Sequence, residues 1–231
     1  MRYKAVIFDL FGTLIYKLSL RGYTESLRRI ASALSIPPDD FIQLWFATQN
    51  ERGVGIFQSY EENIRYICDK LGIHAEDARI EQEVQTHFNY TASSVRPRPH
   101  AIEVLSNLKS NGYKTGLITD CAASIPKIYK DMPIAPFLDV AIFSCAVGIQ
   151  KPDPRIYQMA IEQLAVRPED CLYIGDGDDN ELTGALEAGM HPVLVRNPDE
   201  DSNDVHHTDW EAGAWQGPAI QSLQEVLNLL K

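Results

Sequence analysis

Four points in this sequence carry residues that could do chemistry together. They are Asp9, the pair Thr119–Asp120, Lys151, and the run Gly175-Asp176-Gly-Asp-Asp-Asn-Glu181. Three of them stand at the carboxyl ends of short strand-like runs, Ala5–Phe8, Lys114–Thr119 and Cys171–Ile174, and Lys151 lies shortly after a fourth, Val140–Phe143. Such runs are too short for helices and rich in β-formers, so they read as buried strands. In an open parallel sheet, the carboxyl ends of the strands face one crevice. That crevice would hold several carboxylates against one lysine. Like charges packed together are costly unless they are protonated or neutralised by a cation. Hard oxygen ligands suit Mg²⁺, which normally arrives with a phosphate-bearing substrate. Thr119 and the backbone N–H groups after it could hold an anionic oxygen at a helix start. Lys151 could neutralise both substrate and nucleophile. Singly, each piece has a plainer reading: a turn cap at Asp9, a helix cap at Thr119, a surface lysine, and a solvated acidic turn that includes Asp178 and Asp179. Their order along the chain is what joins them.

The elements that must position these residues alternate. Helical patterns at Ala101–Lys109, after Ala122, at Pro154–Leu164 and at Glu181–Ala188 separate the strands, and a fifth strand is expected at Pro192–Val195. Asp153-Pro154 supplies an N-cap and a proline at the first helical position. A polar loop is expected over 197–218, then a closing amphipathic helix carrying Ile220, Leu223, Val226, Leu227 and Leu230. Alternation of this kind predicts a parallel sheet covered on both faces. Residues 16–94 differ, showing helical periodicity without a convincing strand. Four helices are expected there: one ended by Pro37-Pro38, one capped by Asp39 or Asp40, one ended by Gly72, and one over 76–90. Ser93 to Pro99 reads as an extended linker. The division is a core of 1–15 and 95–231 and an inserted helical module of 16–94.

A net charge of -11 argues against a nucleic-acid backbone as partner. No apolar run approaches the ~20 residues of a membrane span, and the N-terminus enters a strand without a signal-peptide pattern. Cys68, Cys121, Cys145 and Cys171 show no metal-ligand spacing. A reduced, cytoplasmic protein, monomer or homodimer, is the expectation.

Asp9-Leu-Phe-Gly-Thr13, Thr119, Lys151-Pro-Asp-Pro and Gly175-Asp176 together resemble the four motifs of the haloacid dehalogenase-like (HAD) hydrolases. The stretch Glu181-Leu-Thr-Gly-Ala-Leu-Glu-Ala-Gly-Met190 is also similar to that group. The resemblance implies a Rossmann-like core, with 16–94 as a mobile helical cap. By position it implies that Asp9 is the nucleophile, forming an aspartyl intermediate. Thr119 and Lys151 would hold the substrate anion, with Phe11, Gly12, Thr13 and Asp120 around it. Asp176 would bind Mg²⁺ with Asp9 and the backbone carbonyl of Phe11. Glu181, where many relatives have aspartate, would contribute directly or through water. Arg52, before the Gly53-Val-Gly55 break, is a candidate specificity residue, although a solvated arginine at a helix end is the plainer reading. Tyr16 and Arg21 are weaker candidates, and His206 and His207 have no assigned role.

One position departs from the family's phosphatases. They carry an acid two residues after the nucleophile, where this chain has Phe11, which cannot transfer a proton. Losing such a group typically costs about 10²–10⁴-fold. A Mg²⁺-dependent phosphohydrolase acting on a small phosphorylated metabolite remains the first expectation, because the fourth motif is rich in acids. A 2-haloacid dehalogenase is the alternative, since halide departs without a proton and that subfamily has an aromatic residue there. Its members, however, use no metal and have a fourth motif rich in serine and asparagine. A binding protein that kept the fold and lost turnover is the third.

Overall fold

The computed structural model describes residues 3–196 and 211–230. The acidic cluster Asp199–Asp204, His206 and His207 lie outside them. The chain starts with β1 (Ala5–Phe8) and then builds a helical block: α1 (Leu20–Ala33), α2 (Pro38–Ala47), α3 (Gln49–Gly53), α4 (Tyr60–Leu71) and α5 (Asp77–Ser94). It returns through α6 (Ala101–Ser110), β2 (Lys114–Thr119), α7 (Ile125–Tyr129), β3 (Val140–Phe143), α8 (Ser144–Val147), α9 (Pro154–Leu164), β4 (Cys171–Gly175), α10 (Glu181–Glu187), β5 (His191–Val195), β6 (Ala219–Ile220) and α11 (Val226–Leu229).

The sheet has six parallel strands in the order β3-β2-β1-β4-β5-β6. The chain fills one side outward from β1 and then jumps back to place β4 on the other side. The direction of winding therefore reverses between β1 and β4, where open α/β sheets bind their ligands. Register fixes the two strand ends side by side: Phe8 pairs with Ile174, and the Asp9 N–H donates to the Ile174 carbonyl at 2.9 Å. Side chains alternate across the sheet. Val6, Phe8, Leu172 and Ile174 join one apolar cluster with α6 and the C-terminal segment. Ala5, Ile7 and Tyr173 join the other with α9 and α10. Burial on both faces is why these strands read as continuous apolar runs.

The helical block has an apolar cluster of its own, centred on Leu27, Ile30, Phe41, Trp45, Ile64 and Ile67. Its entry and exit chains run together. Ile15 bridges Pro97, the Tyr16 N–H donates to the Arg96 carbonyl at 3.1 Å, and the Arg98 N–H donates to the Leu14 carbonyl at 2.9 Å.

Several local expectations are corrected. The block has a fifth, short helix, α3, which carries Arg52. Pro37 occupies the N-cap of α2, so Asp39 and Asp40 fall in its first turn, where carboxylates favour the helix dipole. Ser93 and Ser94 end α5 rather than opening a linker, and both hydroxyls donate to the Tyr90 carbonyl. The C-terminal helix is shorter than expected. Ile220 lies in β6, which pairs with Leu194 and Val195 of β5, and helical structure starts at Leu223. The spacing of Ile220, Leu223 and Val226 is helical, but an open sheet edge captured the first of them.

Candidate active site

Asp9 ends β1, and Gly12 turns the chain at φ +81°. A Cβ at Gly12 would lie 2.1 Å from Asp176 Oδ2, so only glycine lets the first loop pass the end of β4. Lys151 reaches in from the segment between α8 and α9. Its Nζ donates to Asp9 Oδ1 at 2.7 Å and to Glu181 Oε2 at 2.6 Å. Asp120 receives the Lys151 backbone N–H on both oxygens, at 3.2 and 3.1 Å, and so fixes that loop.

A second lysine, unmarked in the sequence, completes the site. Lys17 Nζ lies 2.6 Å from Asp176 Oδ2 and 2.6 Å from Asp178 Oδ2. Nothing in the first motif marks it. It sits eight residues beyond Asp9, in a segment whose path depends on where the helical block begins. Asp178 thus belongs to the site rather than to a solvated turn. Among the described residues the crevice sets six carboxylates, Asp9, Asp120, Asp176, Asp178, Asp179 and Glu181, against two lysines.

The protonation pattern follows. Burial raises Asp9 above the ordinary carboxylate range, with Lys151 pulling the other way. Burial lifts Asp120 to about 7 against the opposing pull of Lys151, and Asp176 to about 7 against that of Lys17. Glu181 rises for the same reason. Burial works against the charge of Lys151, but Asp9 and Glu181 outweigh it and hold the ammonium well above its ordinary value. The lysines are firmly charged and the acids lack enough positive charge.

That shortage bears on a metal. One oxygen each from Asp9, Asp176 and Glu181 lies within 4.8 Å of the others. The Asp9–Asp176 pair fits a hard divalent cation by chemistry and by charge. Glu181 is already engaged: Oε2 accepts from Lys151 and from the Tyr173 hydroxyl (2.7 Å), and Oε1 accepts the Gly177 N–H at 3.0 Å. It anchors the lysine and the fourth loop from behind.

A cavity of about 570 Å³ opens between the strand ends and the helical block, and Phe11, Asp120 and Lys151 line it from the sheet side. Asp9, bonded to Lys151, is buried behind them. Thr119 is fully buried at the end of β2, where its hydroxyl lies 3.5 Å from the Asp120 carbonyl. Thr13 is also fully buried, and its Oγ1 has no hydrogen-bond partner among the described residues.

From the block side, Arg52 lines the cavity. It is not a solvated helix-end arginine, because only 6% of its surface is exposed. Nη1 donates to the Trp45 carbonyl (2.6 Å), Thr48 Oγ1 (2.9 Å) and Asn63 Oδ1 (2.8 Å), and the guanidinium lies 4.5 Å from the centre of the Trp45 ring. The following glycines bring the block onto the sheet. At Gly55 (φ +71°) a Cβ would lie 2.1 Å from the Cys145 carbonyl oxygen. Nearby, the Ser124 hydroxyl donates to the Tyr60 hydroxyl at 2.9 Å. Tyr16 stacks under Arg98 at 4.6 Å and does not line the cavity; neither does Arg21.

A switch point that gathers buried carboxylates and lysines beneath a helical block is the frame of an enzyme with an enclosed, charged active site. The chain belongs to the haloacid dehalogenase-like hydrolases, whose family model matches residues 3–189. A glyceraldehyde 3-phosphate phosphatase from Methanocaldococcus jannaschii is 25% identical over 99% of this chain and 97% of its own length. Two solved structures share the fold. The 2-haloacid dehalogenase of Pseudomonas syringae pv. tomato has a TM-score of 0.72 at 19% identity, covering 99% of this chain and 98% of its own. The HAD phosphatase of Thermococcus onnurineus has a TM-score of 0.66 at 21% identity, covering 98% of this chain and 97% of its own. Among the described residues no helix is long and apolar enough to cross a membrane.

Proposed function

We propose that this hydrolase is a Mg²⁺-dependent phosphohydrolase acting on a small phosphorylated metabolite. The observation that carries the reading is the surplus of buried carboxylates at the ends of β1 and β4, which two lysines do not balance. The near-full-length relative named as a phosphatase supports it. Asp9 is the nucleophile: a carboxylate oxygen attacks phosphorus, the ester oxygen departs, and water then cleaves the aspartyl phosphate. Lys151 orients Asp9 and offsets the charge of the phosphoryl oxygens, and Thr119 with the N–H groups after it holds them. Asp9, Asp176 and the Phe11 carbonyl would hold Mg²⁺, which supplies further neutralisation of phosphoryl charge. Phe11 gives no proton, so acyl and aryl phosphates, whose leaving groups depart unaided, are the better substrates. Residues 16–94 act as a cap whose closure excludes water, with 1–15 and 95–231 as the core. The protein works in the cytoplasm.

C–halogen hydrolysis is the second reading. Phe11 favours it, and so does Lys17, whose ammonium already occupies the space beside Asp176 and Asp178 and offsets part of their charge. Release of phosphate from p-nitrophenyl phosphate and of halide from 2-chloropropionate, each with and without EDTA, tests both. Phosphate release abolished by EDTA is expected. Halide release that survives EDTA would replace the first reading with the second.

A further inference from the structure

The three buried cations around the cavity are not held alike. Lys151 and Lys17 each contact two carboxylates. Arg52 contacts none among the described residues, and its partners are a carbonyl, a hydroxyl and a side-chain amide, all neutral. Neutral acceptors orient a guanidinium without discharging it. Burial accordingly pulls the Arg52 pKa down. A buried charge left without a counter-charge is expensive, and its persistence calls for an anion from outside the chain.

The geometry of the group narrows that anion. A guanidinium presents five N–H donors in a planar fork. All the hydrogen bonds of the Arg52 guanidinium to the described residues run through Nη1, which leaves Nε and Nη2 for a ligand. The Nε–Nη2 edge matches the two coplanar oxygens of a carboxylate, and the Trp45 ring and Asn63 hold it in place. Arg52 and Lys151 line the same cavity from its two sides.

We propose that Arg52 is the specificity residue for a second anionic group, so that the substrate is a phosphorylated carboxylic acid with its phosphoryl group toward Lys151 and its carboxylate on Arg52. The inference rests on the phosphohydrolase reading for the identity of the first anion only. A carboxylate on Arg52 would hold a small substrate by both ends. It would also give closure of the helical block a charge to close upon.

The test compares 3-phosphoglycerate with glycerol 3-phosphate, which differ in a carboxylate against a hydroxymethyl group. Each is measured as a competitive inhibitor of p-nitrophenyl phosphate hydrolysis, and each is also titrated by calorimetry. Wild type should prefer 3-phosphoglycerate by about tenfold or more; Arg52→Met should bring the ratio within about twofold of one, and Arg52→Lys should fall between. A wild-type ratio near one overturns the proposal, as does a preference that survives in folded Arg52→Met. Should the methionine variant not fold, the wild-type and lysine ratios decide. Absence of hydrolysis would sink the phosphohydrolase reading, while the calorimetric ratio would still judge Arg52.

Discussion

The sheet end and the helical block bury charge in opposite ways. At the sheet end, Asp9, Lys151 and Glu181 form one chain of contacts and Asp176, Lys17 and Asp178 another. In the block, Arg52 rests on neutral oxygens and a ring, and His87 sits among Tyr23, Trp45 and Tyr60 with ring centroids 5.0–5.5 Å away. The difference follows from construction. Parallel strands deliver their ends to one place whatever occupies them, so acids and lysines converge and compensate each other in part. Helices packed through an apolar stripe deliver mainly apolar and aromatic side chains, and a charge placed there is left for a ligand to match. Chemistry common to the family fits the first region, and recognition particular to this chain fits the second.

The largest expected effect breaks the sheet side. Asp9→Asn removes the attacking oxygen while preserving volume, and turnover should fall on the order of 10⁶-fold, as for loss of a covalent nucleophile. Steady-state kinetics on the folded variant check it. Near-wild-type rates would remove Asp9 from the nucleophile's role.

A pair of cation deletions sharpens the contrast. Lys151→Met strands Asp9 and Glu181, and a broken buried pair of this kind costs about 3–5 kcal/mol. Arg52→Met strands only neutral acceptors and should cost less than about 2 kcal/mol. Urea unfolding of both variants at neutral pH provides the comparison. Equal losses would mean that the two regions hold charge by the same means.

Acid should move the two regions in opposite directions. His87 is lowered from 6.5 to about 4, chiefly by burial and then by Arg52. Its Nδ1 meets the Ser26 hydroxyl at 2.9 Å, and among the described residues its buried Nε2 has no partner for an added proton. The unfolded chain therefore takes up a proton below pH 6.5 that the folded chain refuses until about 4. This contribution to stability is complete above 6.5 and is lost as pH falls through that window, by roughly 3 kcal/mol. Asp120, raised from 3.8 to about 7 chiefly by burial, has the reverse sign: it stabilises at low pH and loses that contribution as pH rises from 3.8 to 7. Stability curves from pH 7 to 4.5 for wild type and His87→Phe isolate the first contribution. If the variant loses as much stability on acidification as wild type, His87 is not its source.

How much of this the sequence revealed depends on distance along the chain. Strands β1 to β5 were legible because two buried faces write an unbroken apolar run, and the carboxyl-end rule then placed Asp9, Asp120 and Asp176 together. The Asp153 cap was legible from neighbouring residues alone, and its side chain accepts the Arg155 N–H as expected. Lys17 was not legible, because its partners lie 159 and 161 residues away and only the strand order brings them near. The setting of Arg52 was hidden for a related reason. Burial within α3 depends on α4 supplying Asn63, and no spacing rule links the two. β6 was lost because two residues are too few to show a period.

The side-by-side crossing at Ile15–Pro97 has an entropic consequence. Ordering a chain segment between two fixed ends depends on its length only logarithmically, at about 0.6 kcal/mol per doubling. Because both crossings meet at one bridge, the sheet is nearly indifferent to how many residues lie between them, provided they fold. The helical block is therefore a cassette. It can lengthen, shorten or be exchanged for another without disturbing the β1–β4 register that sets Asp9 beside Asp176.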